Sequence, residues 1–151
     1  MKILTFLALL LLVCSGCYSS KSTFDTEKQN FETLVIQYEA NTRGFYQKLV
    51  VQNHTISSTN DRNGKKNPIV QKISDADWNA LIFELNKVDL ESLPNLKAPT
   101  EKRFYDGAAI AELKITFKGK TFETTSFDHG TPPMEIQKVV EIVNALFKAE
   151  E

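Results

Sequence analysis

The run Phe127-Asp128-His129-Gly130 sets a carboxylate beside an imidazole at the end of an apolar-alternating stretch. That pairing is how many sites present a general base or a metal ligand, so a hydrolase using Asp128 and His129, with or without a divalent metal, is the catalytic reading. Asp128 capping the following turn while His129 packs locally accounts for the same residues without chemistry. A metal would need further ligands, and the other imidazole, His54, stands in a turn-type Asn53-His54 pair with no helical or CxxC-type partner. Neither a metal nor a cofactor is therefore expected. Arg43, between Thr42 and Gly44, has a guanidinium suited to a carboxylate or phosphate, although an internal salt bridge would employ it equally well. Asp106 follows Arg103-Phe104-Tyr105 and precedes Gly107 in a long loop, where aromatic and charged side chains contact partners and where Asp-Gly also simply makes turns. Arg43, Asp106, Asp128 and His129 are thus candidate binding residues, and no catalytic residue is assigned. The chain has no Gly-rich phosphate loop, Ser-centred nucleophile elbow or paired metal motif.

Those side chains must be positioned by the elements around them. Leu34, Ile36 and Tyr38 alternate with polar neighbours, predicting a strand over Phe31–Tyr38. Phe45, Gln47, Leu49 and Val51 predict a second over Phe45–Gln52, joined to the first through Asn41–Gly44. Asn53-His54 then turns the chain into a short strand, Thr55–Ser58, and the polar stretch Thr59–Pro68 is expected to lack fixed structure. Ile69–Ile73 reads as extended. Ser74-Asp75-Ala76-Asp77 is a helix start in which the Ser74 hydroxyl can accept from the Asp77 amide, with Ile73 and Trp78 as a hydrophobic staple. Trp78, Leu81, Ile82, Leu85 and Val88 continue it as one helical stripe. Residues 89–107 hold Pro94 and Pro99 without periodicity and read as an ordered excursion. Ala109 to Phe117 alternates strictly, Lys118-Gly119-Lys120 turns, and Thr121–Phe127 returns as the partner strand. Thr131-Pro132-Pro133 is expected to cap and open a last helix whose stripe is Ile136, Val139, Val140, Val143, Leu146 and Phe147. The expected fold is α+β: an antiparallel sheet of four to six strands covered on one face by two helices, in the order strands, helix, strands, helix.

With 42% hydrophobic and 25% charged residues over 151 positions, the composition is that of one ordinary globular domain. Met1-Lys2 followed by the uncharged Ile3–Val13 has the pattern of a signal peptide. Eleven residues rising about 1.5 Å each cover only about half of a ~30 Å hydrocarbon core, too little for a transmembrane helix. Val13-Cys14-Ser15-Gly16-Cys17 resembles the lipobox of bacterial lipoproteins, with Ser15 and Gly16 fitting the small positions before a lipid-modified cysteine, and Cys14 departing from the usual aliphatic residue. The organisation is then a signal peptide over 1–16, a Ser/Thr/Lys-rich tether over 17–30 lipidated at Cys17, and a single domain over 31–151. Both cysteines lie at or before position 17, which leaves the domain without a disulfide. Losing Lys2 takes the 18 basic residues to 17 against 19 acidic, a formal charge of −2, and the nearest basic cluster, Arg62, Lys65 and Lys66, shares its loop with Asp61. Nucleic acid is not an expected partner.

The leader, the tether, Thr42-Arg43-Gly44, Asp106-Gly107-Ala108 and Phe127-Asp128-His129-Gly130 together resemble small uncharacterised lipoproteins of Bacteroidetes-type bacteria. The resemblance implies a cell-envelope location outside the cytoplasm and carries no activity. Three functions follow as expectations. The first is a non-enzymatic module, anchored to a membrane through the lipid on Cys17, that binds an envelope protein or glycan. The second is an inhibitor or immunity-like lipoprotein inserting loop 89–107 into an exported enzyme. The third is the hydrolase built on Asp128 and His129.

Overall fold

The computed structural model describes residues 31–147; the leader, Cys17, the tether and residues 148–151 lie outside the described residues. The chain forms strands β1 (Val35–Thr42), β2 (Phe45–Gln52), β3 (Thr55–Thr59) and β4 (Ile69–Lys72), helix α1 (Asp75–Leu85), strands β5 (Ile110–Phe117), β6 (Lys120–Glu123) and β7 (Phe127–Asp128), and helix α2 (Gln137–Leu146). It is an α+β fold with one antiparallel sheet in the order β4-β3-β2-β1-β5-β6, and β7 pairs with β5 beyond the end of β6. The sheet therefore has one strand more than the upper end of the expected range.

Registers follow from alternation. Ile36, Tyr38 and Ala40 of β1 face Val51, Leu49 and Gln47 of β2 on one side and Ile115, Leu113 and Ala111 of β5 on the other, and slipping any pair by one residue would turn its apolar set to water. Two of the hairpins close through left-handed residues. Asn53 and His54 have φ of 48° and 55°, and Lys118 and Gly119 have φ of 49° and 76°, the signs that suit two-residue turns between right-twisted strands. The buried strand residues, Trp78, Leu81, Ile82 and Leu85 of α1, and Val139, Val140 and Val143 of α2 make one hydrophobic core.

Helix α1 starts as its sequence requires. Ser74 is extended, and its hydroxyl accepts the Asp77 amide at 3.1 Å while donating to the Asp77 carboxylate at 2.7 Å. Replacing Ser74 by alanine is expected to lower stability by about 1 kcal/mol in urea denaturation. A loss below a few tenths would show that the staple, Ile73 against Trp78, sets the helix start by itself.

Four expectations are corrected. Phe31–Thr33 is a 3-10 turn, not strand, because it brings the Phe31 ring to 6.0 Å from Phe117 and closes with Leu34 N–H donating to Phe31 O. The strand after Gly119 ends at Glu123: the Thr124 amide still donates to Leu113 O, but Leu113 N–H donates to the Thr124 hydroxyl and the Thr125 hydroxyl donates to Leu96 O, so side-chain bonds compete with the ladder. The last helix begins at Gln137, not at Thr131. A residue before proline is driven out of the α region, so Thr131 and Pro132 stay outside the helix and the Thr131 amide closes a turn onto Asp128 O. Loop 59–68 is ordered, because the Asp61 carboxylate accepts the amides of Asn63, Lys65 and Lys66 and Arg62 donates to Thr42 O at 2.7 Å. Among the described residues no helix is long and apolar enough to cross a membrane.

Candidate functional site

Asp128 and His129 are neighbours on a strand end, so their side chains leave opposite faces of the backbone. The Asp128 carboxylate is fully buried, and every bond it makes is structural. It accepts the Thr100 hydroxyl at 2.5 Å, the Lys102 amide at 2.7 Å, the Arg103 amide at 3.0 Å and the Arg103 guanidinium at 3.1 Å. Desolvation pushes its pKa up, but these four donors outweigh it and hold the carboxyl down at about 2. Asp128 thereby clamps the middle of loop 89–107. In that loop Lys102–Tyr105 forms a 3-10 turn ending on Asp106, whose left-handed φ of 59° makes it the turn's last residue. Gly107 follows where space is tight, since a Cβ there would lie 3.0 Å from the Tyr105 ring and 3.2 Å from Lys102 O.

His129 points the other way, toward the core. Its Nδ1 shares a 2.7 Å hydrogen bond with the Tyr38 hydroxyl, and its ring lies 5.3 Å from that of Phe45. Burial lowers the His129 pKa and favours the neutral ring. Burial also pushes the Tyr38 hydroxyl up to about 12, with Asn144 of α2 bonding to it and pulling the other way. The sequence-flagged residues thus do not converge: Asp106 lies in the loop that Asp128 of β7 clamps, His129 backs Phe45, and Arg43 stands apart from both. Arg43, in the exposed β1–β2 turn, shares a shallow depression with Phe45, Tyr46 and Asn60. His54, at its turn, stacks on Trp78 at 4.3 Å with its Nδ1 3.4 Å from an Asp75 carboxylate oxygen. Among the described residues no group of three or more His, Cys, Asp or Glu could hold a metal.

Phe45 also leads to the site that motif reading missed. A concavity of about 650 Å³ lies over the outer strands, with Phe45 and Gln47 of β2, Ser58 of β3, and Ile69 and Gln71 of β4 on its floor. Tyr46, Thr59, Asn60, Lys66 and Asn67, with Phe147 after α2, complete its lining. A signal for it existed. Gln47, Ser58 and Gln71 share the strand face of Leu49, Val51 and Ile56, so polar residues stand at positions whose neighbours are core, which marks where that face leaves the cover of the core. Among the described residues the lining combines aromatic rings, neutral amide and hydroxyl groups and one ammonium, and holds no carboxylate. Chemically it suits binding by stacking and hydrogen bonds. No protein-family model and no curated protein matches the chain.

Proposed function

We propose that this chain is a bacterial envelope lipoprotein, held to a membrane by a lipid on Cys17, whose domain binds a partner and turns over no substrate. The observation that carries it is Cys14-Ser15-Gly16-Cys17 directly behind the short apolar run Ile3–Val13. The domain fits that reading. Its buried flagged carboxylate, Asp128, is occupied as a loop clamp, and among the described residues its concavity offers recognition groups without an acid–base pair. Both helices cover the same sheet face in this reading, since their buried residues share a core with Leu34, Tyr38 and Leu113. The opposite face then carries Gln37, Lys48, Glu112 and Lys114 to solvent.

The test is intact-mass measurement of protein extracted from membranes, beside a Cys17→Ser variant. Wild type should have lost residues 1–16 and gained acyl mass, and the variant should carry no acyl mass and leave the membrane fraction. An unmodified full-length mass, or a wholly cytosolic distribution, would sink the proposal.

The inhibitor reading has one observation in its favour. The Asp128 clamp stiffens a loop that presents Phe104 and Tyr105, each 71% exposed, the kind of rigid aromatic pair that enters a partner's cleft. Deleting residues 102–106 from a folded protein should then abolish any inhibition of an exported enzyme.

A further inference from the structure

We infer that the concavity over β2, β3 and β4 is a carbohydrate subsite, taking a neutral or acidic oligosaccharide. The inference rests on reading the chain as an envelope binding module and names the ligand class. A sugar ring presents C–H groups on its faces and hydroxyls around its rim. The lining answers both. Phe45 and Phe147 supply aromatic faces, and Gln47, Asn60 and Asn67 supply planar amides, each able to donate and accept toward neighbouring hydroxyls. Among the described residues Lys66 is the one charged side chain of the lining.

Other ligand classes fit these residues less well. A cationic ligand would meet an ammonium and, among the described residues, no carboxylate. A phosphate-rich ligand calls for several cations or a bidentate guanidinium, and among the described residues Lys66 is the single cation of the lining. An entirely apolar ligand would strand the amides without partners on burial. The volume of about 650 Å³ lies within the ordinary range of about 300–1,000 Å³ for small-molecule sites.

The walls are also set before any ligand arrives. Phe45 is braced from behind by His129, whose ring is held by Tyr38. The Lys66 amide is fixed by the Asp61 carboxylate at 2.7 Å, and Arg62 ties the same loop to Thr42 O at 2.7 Å and Phe45 O at 3.4 Å. Such preorganisation reduces the ordering cost of binding.

The experiment uses the full chain in detergent micelles on an array of neutral, uronic-acid-containing and de-acetylated amino oligosaccharides, followed by calorimetry with the best binder. Neutral and acidic glycans should be retained and the cationic ones excluded. Phe45→Ala, and the surface changes Gln47→Ala and Asn60→Ala, should each raise Kd about tenfold, and Phe83→Ala on the outer side of α1 should leave it unchanged. Absence of any glycan binding to the folded protein, equal retention of cationic glycans, or a Kd untouched by both Gln47→Ala and Asn60→Ala would overturn the inference. An acylated Cys17 with no glycan bound would defeat this inference and leave the envelope proposal standing. Glycan binding by a chain unmodified at Cys17 would do the reverse.

Discussion

Replacing Asp128 by asparagine is expected to cost about 3–5 kcal/mol of stability, the scale on which one member of a buried ion pair is missed. The carboxylate is fully buried, and the Arg103 side chain that it neutralises is only 8% exposed. An amide in its place keeps the shape but turns an N–H₂ toward groups that are themselves donors: the Thr100 hydroxyl and Lys102 amide on one oxygen, the Arg103 amide and guanidinium on the other. Urea denaturation at neutral pH reads the loss directly. A value under about 1 kcal/mol, the scale of an exposed pair, would mean that the loop is held by its buried Leu90, Leu93 and Leu96 instead. The pH dependence provides a second reading. The folded carboxyl, at about 2, lies below its ordinary 3.8, so its contribution is complete above about pH 4 and is lost as pH falls through 2. Wild type and variant should therefore converge in stability across that interval. His129 acts in a separate window. Its folded pKa lies below the ordinary 6.5, so the stability it contributes is present above that value and declines as acid charges the ring.

Leu81→Ala should lower stability by about 2–5 kcal/mol, the range for emptying a leucine site in a packed core. Leu81 is fully buried between Trp78 and Leu85 on the inner stripe of α1, and it belongs to the same core as the sheet and α2. Phe83, two residues along and 62% exposed, is the matched control, and its change to alanine should stay within about 0.5 kcal/mol. Thermal melts of the two variants against wild type decide the matter. Equal effects would mean that α1 is not docked on the core through this stripe.

Where a feature depends on residues close in sequence, it was legible. The bounds of β2, the capped start of α1 and the turns at Asn53-His54 and Lys118-Gly119 each follow from alternation, a hydroxyl three residues from an amide, or positive φ at a two-residue turn. Boundaries were misread where a local pattern had a distant competitor. Phe31 turns to reach Phe117, and Thr125 leaves the strand to bond Leu96 O. The partners of the candidate residues were out of reach of the sequence for the same reason. Adjacent Asp128 and His129 look like a pair on paper, but a strand end sends one to the clamped loop and the other to Tyr38.

By itself the amino-acid order determined the α+β class and most of the core, because apolar periodicity and capping act over a few residues; the proposed leader rests on that order alone. The tertiary structure decided what Asp128 and His129 are for. It alone also created the concavity, since Phe45, Asn60, Ile69 and Phe147 are scattered over a hundred positions and meet only through strand order and the line along which α2 ends. The pull between distant groups, unlike periodicity, leaves no local trace in the chain.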